Sequence, residues 1–167
     1  MGKYTDFLRD TDLFYNLTPT QLELIENICE ERIYQAGETI FEENAHENEL
    51  YIIYRGQVEI SVSPSLVAPH MSTEVHSESV AKLLRGQSFG EVALVDEGIR
   101  TGTAKAREKN TILLRIPRQK LIMLCNTYPE LGYRVMYNLA ADLAGKIRNA
   151  DLKIREVLLY QKNQSKT

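Results

Sequence analysis

One stretch of the chain concentrates residues able to do chemistry: Phe89-Gly90-Glu91-Val92-Ala93-Leu94, then, past a short connection, Arg100-Thr101-Gly102-Thr103-Ala104. A glycine leading into a brief helical turn presents unpaired backbone N–H groups together with the positive end of the helix dipole. Both suit a phosphate. Arg100 supplies a permanently charged fork for the same anion. Glu91 is a fixed acceptor that can take a sugar hydroxyl, and Thr101 adds a hydroxyl beside the clamp. These are the parts of a pocket for a small anion. No P-loop, GxGxxG or nucleophile-elbow pattern accompanies them. His46, His70 and His76 lack the close spacing of a metal-binding barrel and read as solvated loop residues. The expectation is a binding module with no catalytic site and no metal.

Something must hold that stretch in place. Upstream of it, short extended segments alternate with turn residues: Glu38–Phe41, Leu50–Tyr54, Gln57–Val62 and Val80–Leu84. Downstream come Thr103–Ala106 and Thr111–Ile116. Arg55-Gly56 and Lys109-Asn110 read as tight hairpin turns. Regularly spaced short strands without intervening helices predict a small β-barrel or roll. Ser63–Ser79, polar and with two prolines, reads as a long mobile loop.

Helices flank this β region. Thr18 as N-cap, Pro19 at N1 and Gln21 at N3 spell a capping box, stapled by Leu17 and Leu22, for a short helix running to about Arg32. Cys29 on its apolar face reads as a small core residue. After Pro117 a short helix carries Leu121, Ile122, Leu124 and Cys125, and Pro129 opens a longer one. Along the latter, Met136, Ala140, Leu143, Ile147, Ala150, Ile154 and Val157 recur at steps of four and three, a three-heptad seam. The layout expected is residues 1–126 as the roll with its N-terminal helix, 127–160 as a long lid and dimerisation helix, and 161–167 as a disordered tail.

Composition narrows the partners. The 167 residues are 43% hydrophobic and 26% charged, enough apolar material for one packed domain. No apolar run reaches the ~18 residues of a membrane span, and the first ten residues lack a signal-peptide core. Cys29 and Cys125 stand apart without CxxC spacing, which fits a reducing cytoplasm. The net charge of −3 averages a −9 segment over residues 1–60 against +2 over 61–133 and +4 over 134–167. That argues against wrapping a nucleic-acid polymer. It leaves room for one small phosphate.

The string FGE-x-A-L followed by R-T-x-T-x-x-A resembles the phosphate-binding cassette of the cyclic nucleotide-binding domain family, found in the protein kinase A regulatory subunit and the bacterial catabolite activator protein. Leu13-Phe14, Gly37-Glu38-Thr39-Ile40-Phe41, Leu50-Tyr51-Ile52-Ile53 with Gly56, and Arg85-Gly86-Gln87 are similar too. The resemblance spans roughly Leu13 to Ala144. It implies a jelly-roll-like β-roll, mainly β with flanking helices, and a long C-terminal helix. It implies that Arg100, with the N–H groups of Val92, Ala93 and Thr101, holds the phosphate of cyclic AMP or cyclic GMP. Gly90 and Glu91 would hold the ribose 2′-hydroxyl. Thr101 leaves either base open, and Arg148 or Asn149 on the long helix would cover it.

The three-heptad seam predicts a homodimer along that helix, the other reading being a helix folded back onto its own core; ligand binding is expected to signal through the helix to a downstream protein partner. Only Gln161–Thr167 follow the helix, so no DNA binding is expected of this chain alone. Two other readings stand beside this one: a partner-docking module of the same fold that ignores cyclic mononucleotides, and the sensor fragment of a transcription regulator. Two departures from the family pattern carry consequences. Glu43–Asn48 replaces a Gly-Asp turn, where asparagine tolerates left-handed geometry. Gly102 replaces an alanine and is expected to loosen the strand start.

Overall fold

A computed structural model of the chain describes residues 2–64, 77–96 and 98–164. The helices are α1 (Thr5–Arg9), α2 (Pro19–Ile28), α3 (Glu91–Asp96), α4 (Arg118–Thr127) and α5 (Pro129–Gln164), with a 3₁₀ turn at Asp12–Phe14. The strands are β1 (Glu30–Tyr34), β2 (Thr39–Phe41), β3 (Leu50–Arg55), β4 (Val58–Val62), β5 (Glu78–Leu83), β6 (Ser88–Phe89), β7 (Thr103–Ala106) and β8 (Thr111–Ile116). They form two antiparallel four-stranded sheets, in the orders β1-β8-β3-β6 and β2-β7-β4-β5. This is the β-roll of the cassette-bearing domains, with a long C-terminal helix.

Alternation along β3 shows how the layers are held. Tyr51 and Ile53 turn into the roll, against Phe41, Val58, Phe89, Ala104 and Leu113. Leu50 and Ile52 face the other way, into a second core with α1, α2, α4 and α5. A strand buried on both faces reads as a continuous apolar run rather than an alternating one, which is how Leu50–Ile53 is written. Tyr51 stacks on Phe89 at 5.3 Å between ring centroids, so the roll interior is partly aromatic.

The capping box forms as read: Gln21 N–H donates to Thr18 Oγ1 and Thr18 N–H to Gln21 Oε1. Leu17 and Leu22 are both buried. Helix α2 nevertheless stops at Ile28, not near Arg32, because Glu30–Tyr34 pairs with β8 from Glu30↔Arg115 to Tyr34↔Thr111. Arg55-Gly56 and Lys109-Asn110 do turn, with Gly56 and Asn110 at φ 91° and 54°. Neither closes a hairpin, since each joins strands of different sheets. Most of the Ser63–Ser79 loop lies outside the described residues, although Glu78 and Ser79 already belong to β5.

Helix α5 packs its first turns through Leu131, Val135, Asn138 and Leu139. Asn138 donates both amide hydrogens, to the carbonyls of Leu13 (3.0 Å) and Tyr15 (2.9 Å). Of the Met136–Val157 seam, Met136 and Leu143 are partly buried against the same core. Ala140 on that seam is exposed, and Ile147, Ile154 and Val157 are more than half exposed. The helix also continues through residues 161–164, which the sequence assigns to a tail; 165–167 lie outside the described residues.

Candidate functional site

Gly90 joins β6 to α3 with φ 83°, a value that favours glycine. A Cβ there would stand 2.6 Å from Arg100 Nη1 and 2.9 Å from the Glu49 carbonyl. The glycine thus gives the arginine its seat. Arg100 is 2% exposed, its Nη1 donating to the Gly90 carbonyl (3.1 Å) and Nη2 to the Glu49 carbonyl (2.9 Å). Its guanidinium lies 4.1 Å from the Phe41 ring centroid, a cation–π contact. The Glu49 carboxylate is 3.7 Å away. Burial pushes the Arg100 pKa down, opposed by Tyr51 and Glu49.

The turn that departs from the family pattern is what fixes the Arg100 backbone. Asn44, at φ 67°, donates its N–H to the Arg100 carbonyl, and the Arg100 N–H donates to the Ala45 carbonyl. Glu43 N–H is taken by Thr103 Oγ1, just beyond the clamp. At Gly102 a Cβ would lie 2.9 Å from the Ser61 carbonyl and 3.1 Å from Ile60 Cγ2. Its role is therefore close approach between the start of β7 and β4, not looseness.

These residues open onto a cavity of about 720 Å³, within the range of small-ligand sites. Gly90, Glu91, Val92, Arg100, Thr101 and Asn149 line it, with Phe41, Ile60, Val80, Leu83 and Phe89 as apolar wall. Arg148 is exposed and does not line it. Arg100 Nε has no acceptor among the described residues, so a buried donor on the clamp remains to be satisfied. The first-turn N–H groups of α3 at Val92 and Ala93 have no helical carbonyl four residues back. Leu94, fully buried, passes its carbonyl to Arg118 Nε at 2.8 Å and so ties α3 to α4.

Sequence reasoning missed three lysines on this cavity: Lys82 from β5, and Lys146 and Lys153 from α5. Lys146 Nζ donates to Glu91 Oε1 (2.7 Å) and to the Ser88 carbonyl (2.9 Å). Asp142 Oδ2 stands 2.8 Å from the same nitrogen. Burial works against this ammonium, but Glu91 and Asp142 outweigh it and raise its pKa above the ordinary lysine value. Lys153 Nζ donates to the Val80 carbonyl at 2.6 Å. A signal was present: Lys146, Asn149 and Lys153 recur at helical spacing on one face, in line with Asp142 and the buried Leu131, Val135 and Leu139. With Arg100, the lining carries four cations against the single carboxylate of Glu91, which favours an anionic occupant.

No group of three or more histidine, cysteine or acidic side chains placed to hold a metal occurs among the described residues. Nor is any described helix long and apolar enough to cross a membrane. The family model described as "Cyclic nucleotide-binding domain" matches residues 31–128. The cyclic AMP receptor protein of Thermus thermophilus is 32% identical over 88% of this chain and 62% of its own length. Human cGMP-dependent protein kinase 2 is 28% identical over 77% of this chain and 16% of its own. The chain thus spans less than two thirds of these curated relatives. A crystal structure of the Thermus thermophilus catabolite activator protein superposes with a TM-score of 0.72 at 31% identity, covering 88% of this chain and 63% of that one.

Proposed function

Because the chain belongs to the cyclic nucleotide-binding domain family, a regulatory rather than catalytic one, we propose that its cavity binds cyclic AMP or cyclic GMP and that α5 carries the response. The observation that bears most weight is the clamp: a nearly fully buried Arg100 on the cavity lining, preset by two backbone carbonyls, with its Nε left without an acceptor among the described residues. In this reading the cyclic phosphate lies between Arg100, the α3 N–H groups at Val92 and Ala93, and Thr101. The ribose 2′-hydroxyl meets Gly90 and Glu91, and Asn149 stands over the base.

The phosphate neutralises Arg100 and draws α3 onto it. The Leu94 carbonyl, held by Arg118, passes that movement to α4, and α4 packs on α5. A ligand shifts such an equilibrium only by its differential affinity for the two arrangements. The exposed Ile147, Ile154 and Val157 supply a surface on which a second copy closes a homodimer, and a downstream protein reads its geometry. Two free cysteines go with a reducing, cytoplasmic setting.

Thermal unfolding with each cyclic mononucleotide tests the reading. Ligand at ~100 times its dissociation constant adds about 2.7 kcal/mol. Absence of any shift with either nucleotide at millimolar concentration would sink it, and leave the docking-module alternative.

A further inference from the structure

Glu91 has a second partner besides any ligand. Its side chain is 7% exposed, and a carboxylate so buried needs a cation close by. Lys146 is that cation, and it comes from α5, fifty-five residues away in sequence. The same ammonium takes the Ser88 carbonyl at the end of β6, so one nitrogen fastens the helix to both sides of Gly90. Lys153, two turns on, fastens the helix to the opposite rim at Val80. Between them Asn149 and Ala150 face the cavity.

An ionised carboxylate offers two oxygens and about four acceptor positions. Lys146 uses one of them, on Oε1, and the second oxygen keeps its capacity for a hydroxyl donor. We propose that Lys146 is the positioning residue for ribose recognition: it holds Glu91 by one oxygen, aims the other at the 2′-hydroxyl, and makes closure of α5 depend on that hydroxyl. The inference rests on the cyclic mononucleotide reading and deepens it. The carboxylate is then shared between ligand and helix. A ribonucleotide tightens the Glu91–Lys146 bond by ordering Glu91, whereas a 2′-deoxy ligand occupies the phosphate clamp without reinforcing the tether. Asp142, one turn back on α5, keeps the ammonium on station.

The test is calorimetric titration of the whole chain and of Lys146→Met with cyclic AMP, cyclic GMP and their 2′-deoxy counterparts. Hydrogen exchange of the α5 amides over residues 142–153 is followed in parallel. Wild type is expected to prefer the ribose form by about tenfold or more, the scale of one hydrogen bond to a charged acceptor. In Lys146→Met that preference falls to within about threefold, and the ribose form no longer protects α5 more than its 2′-deoxy counterpart; Lys146→Arg restores both.

A brace with no part in recognition would weaken all ligands by one factor and leave the ratio intact, and that result overturns the proposal. So does a wild type indifferent to the 2′-hydroxyl. If wild type binds no cyclic mononucleotide, the functional reading itself fails, a distinguishable outcome that takes this proposal with it. Should Lys146→Met fail to fold by circular dichroism, Lys146→Gln carries the same ratio measurement.

Discussion

Replacing Arg100 by methionine separates binding from folding better than alanine does, because methionine refills the space over Phe41. Two effects oppose each other in the ligand-free protein. The Gly90 and Glu49 carbonyls lose their donors, at about 1–3 kcal/mol each if they stay dry. Against that, a guanidinium that is 2% exposed no longer has to be desolvated, and burying apolar atoms instead recovers a comparable amount. The balance keeps the basal change within about 2 kcal/mol. Ligand binding has no such compensation. Two charge-assisted contacts to a phosphate, at ~1.5–3 kcal/mol each, correspond to about 10²–10⁴ in affinity. At a concentration that saturates wild type a hundredfold, the variant would retain under ~0.5 kcal/mol of stabilisation. In a chain of this size the wild-type gain is a rise of about 5–10 °C in Tm, and the variant gain about 2 °C or less. Differential scanning fluorimetry with cyclic AMP and cyclic GMP reads both quantities. An Arg100→Met protein that keeps more than half of the wild-type shift would show that the phosphate is not bound at the clamp.

Asn138→Ala should destabilise the chain by about 1–3 kcal/mol in denaturant titration, since the buried Leu13 carbonyl and the part-buried Tyr15 carbonyl both lose their amide donor. Val157→Glu, on the exposed seam and off the cavity lining, should leave the unfolding curve nearly unchanged while shifting sedimentation from dimer to monomer; a monomeric wild type would refute the seam. Glu30 has its pKa lowered, first by its hydrogen bond to Lys120 and then by Arg115, despite some opposing desolvation. A carboxylate lowered on folding stabilises above its unfolded value, near 4.5, and loses that contribution as pH falls through the folded value. The Tm difference between wild type and Glu30→Gln should therefore be present at pH 7 and vanish in acid.

The cassette was legible because its residues are local in sequence, glycine, acid and arginine within a dozen positions in a string that resembles a known one; the Asn44–Ala45 turn and the Glu49 carbonyl that seat Arg100 lie some fifty residues upstream and were not. The α2 capping box and the Pro129 start were legible for the same reason. Strand β1 was not. Glu-Glu-Arg-Ile-Tyr carries no clean alternation, and its exposed middle is held in place by the ladder to β8, a partner eighty residues away. The turns at Gly56 and Asn110 have hairpin sequences, but whether the flanking strands pair is decided by sheet closure, not by the turn. Lys146 was hidden for a related reason. On a helix written as a dimer seam, a polar residue one position off the seam looks solvated until the roll supplies Glu91 opposite it.

The anchoring of α5 has a mechanical consequence. Asn138 pins the helix to the body of the domain, Lys146 rests on the cassette eight residues further along, and the helix runs on to Gln164. At 1.5 Å per residue, the stretch from pin to cassette is ~12 Å and the stretch from pin to tip ~39 Å. With Asn138 as the fixed point, and with the Lys153–Val80 contact released, the helix would act as a lever with a gain of about three. A displacement of one ångström where the carboxylate meets the lysine would arrive at the far end as roughly three, enough to change which side chains a neighbour would meet.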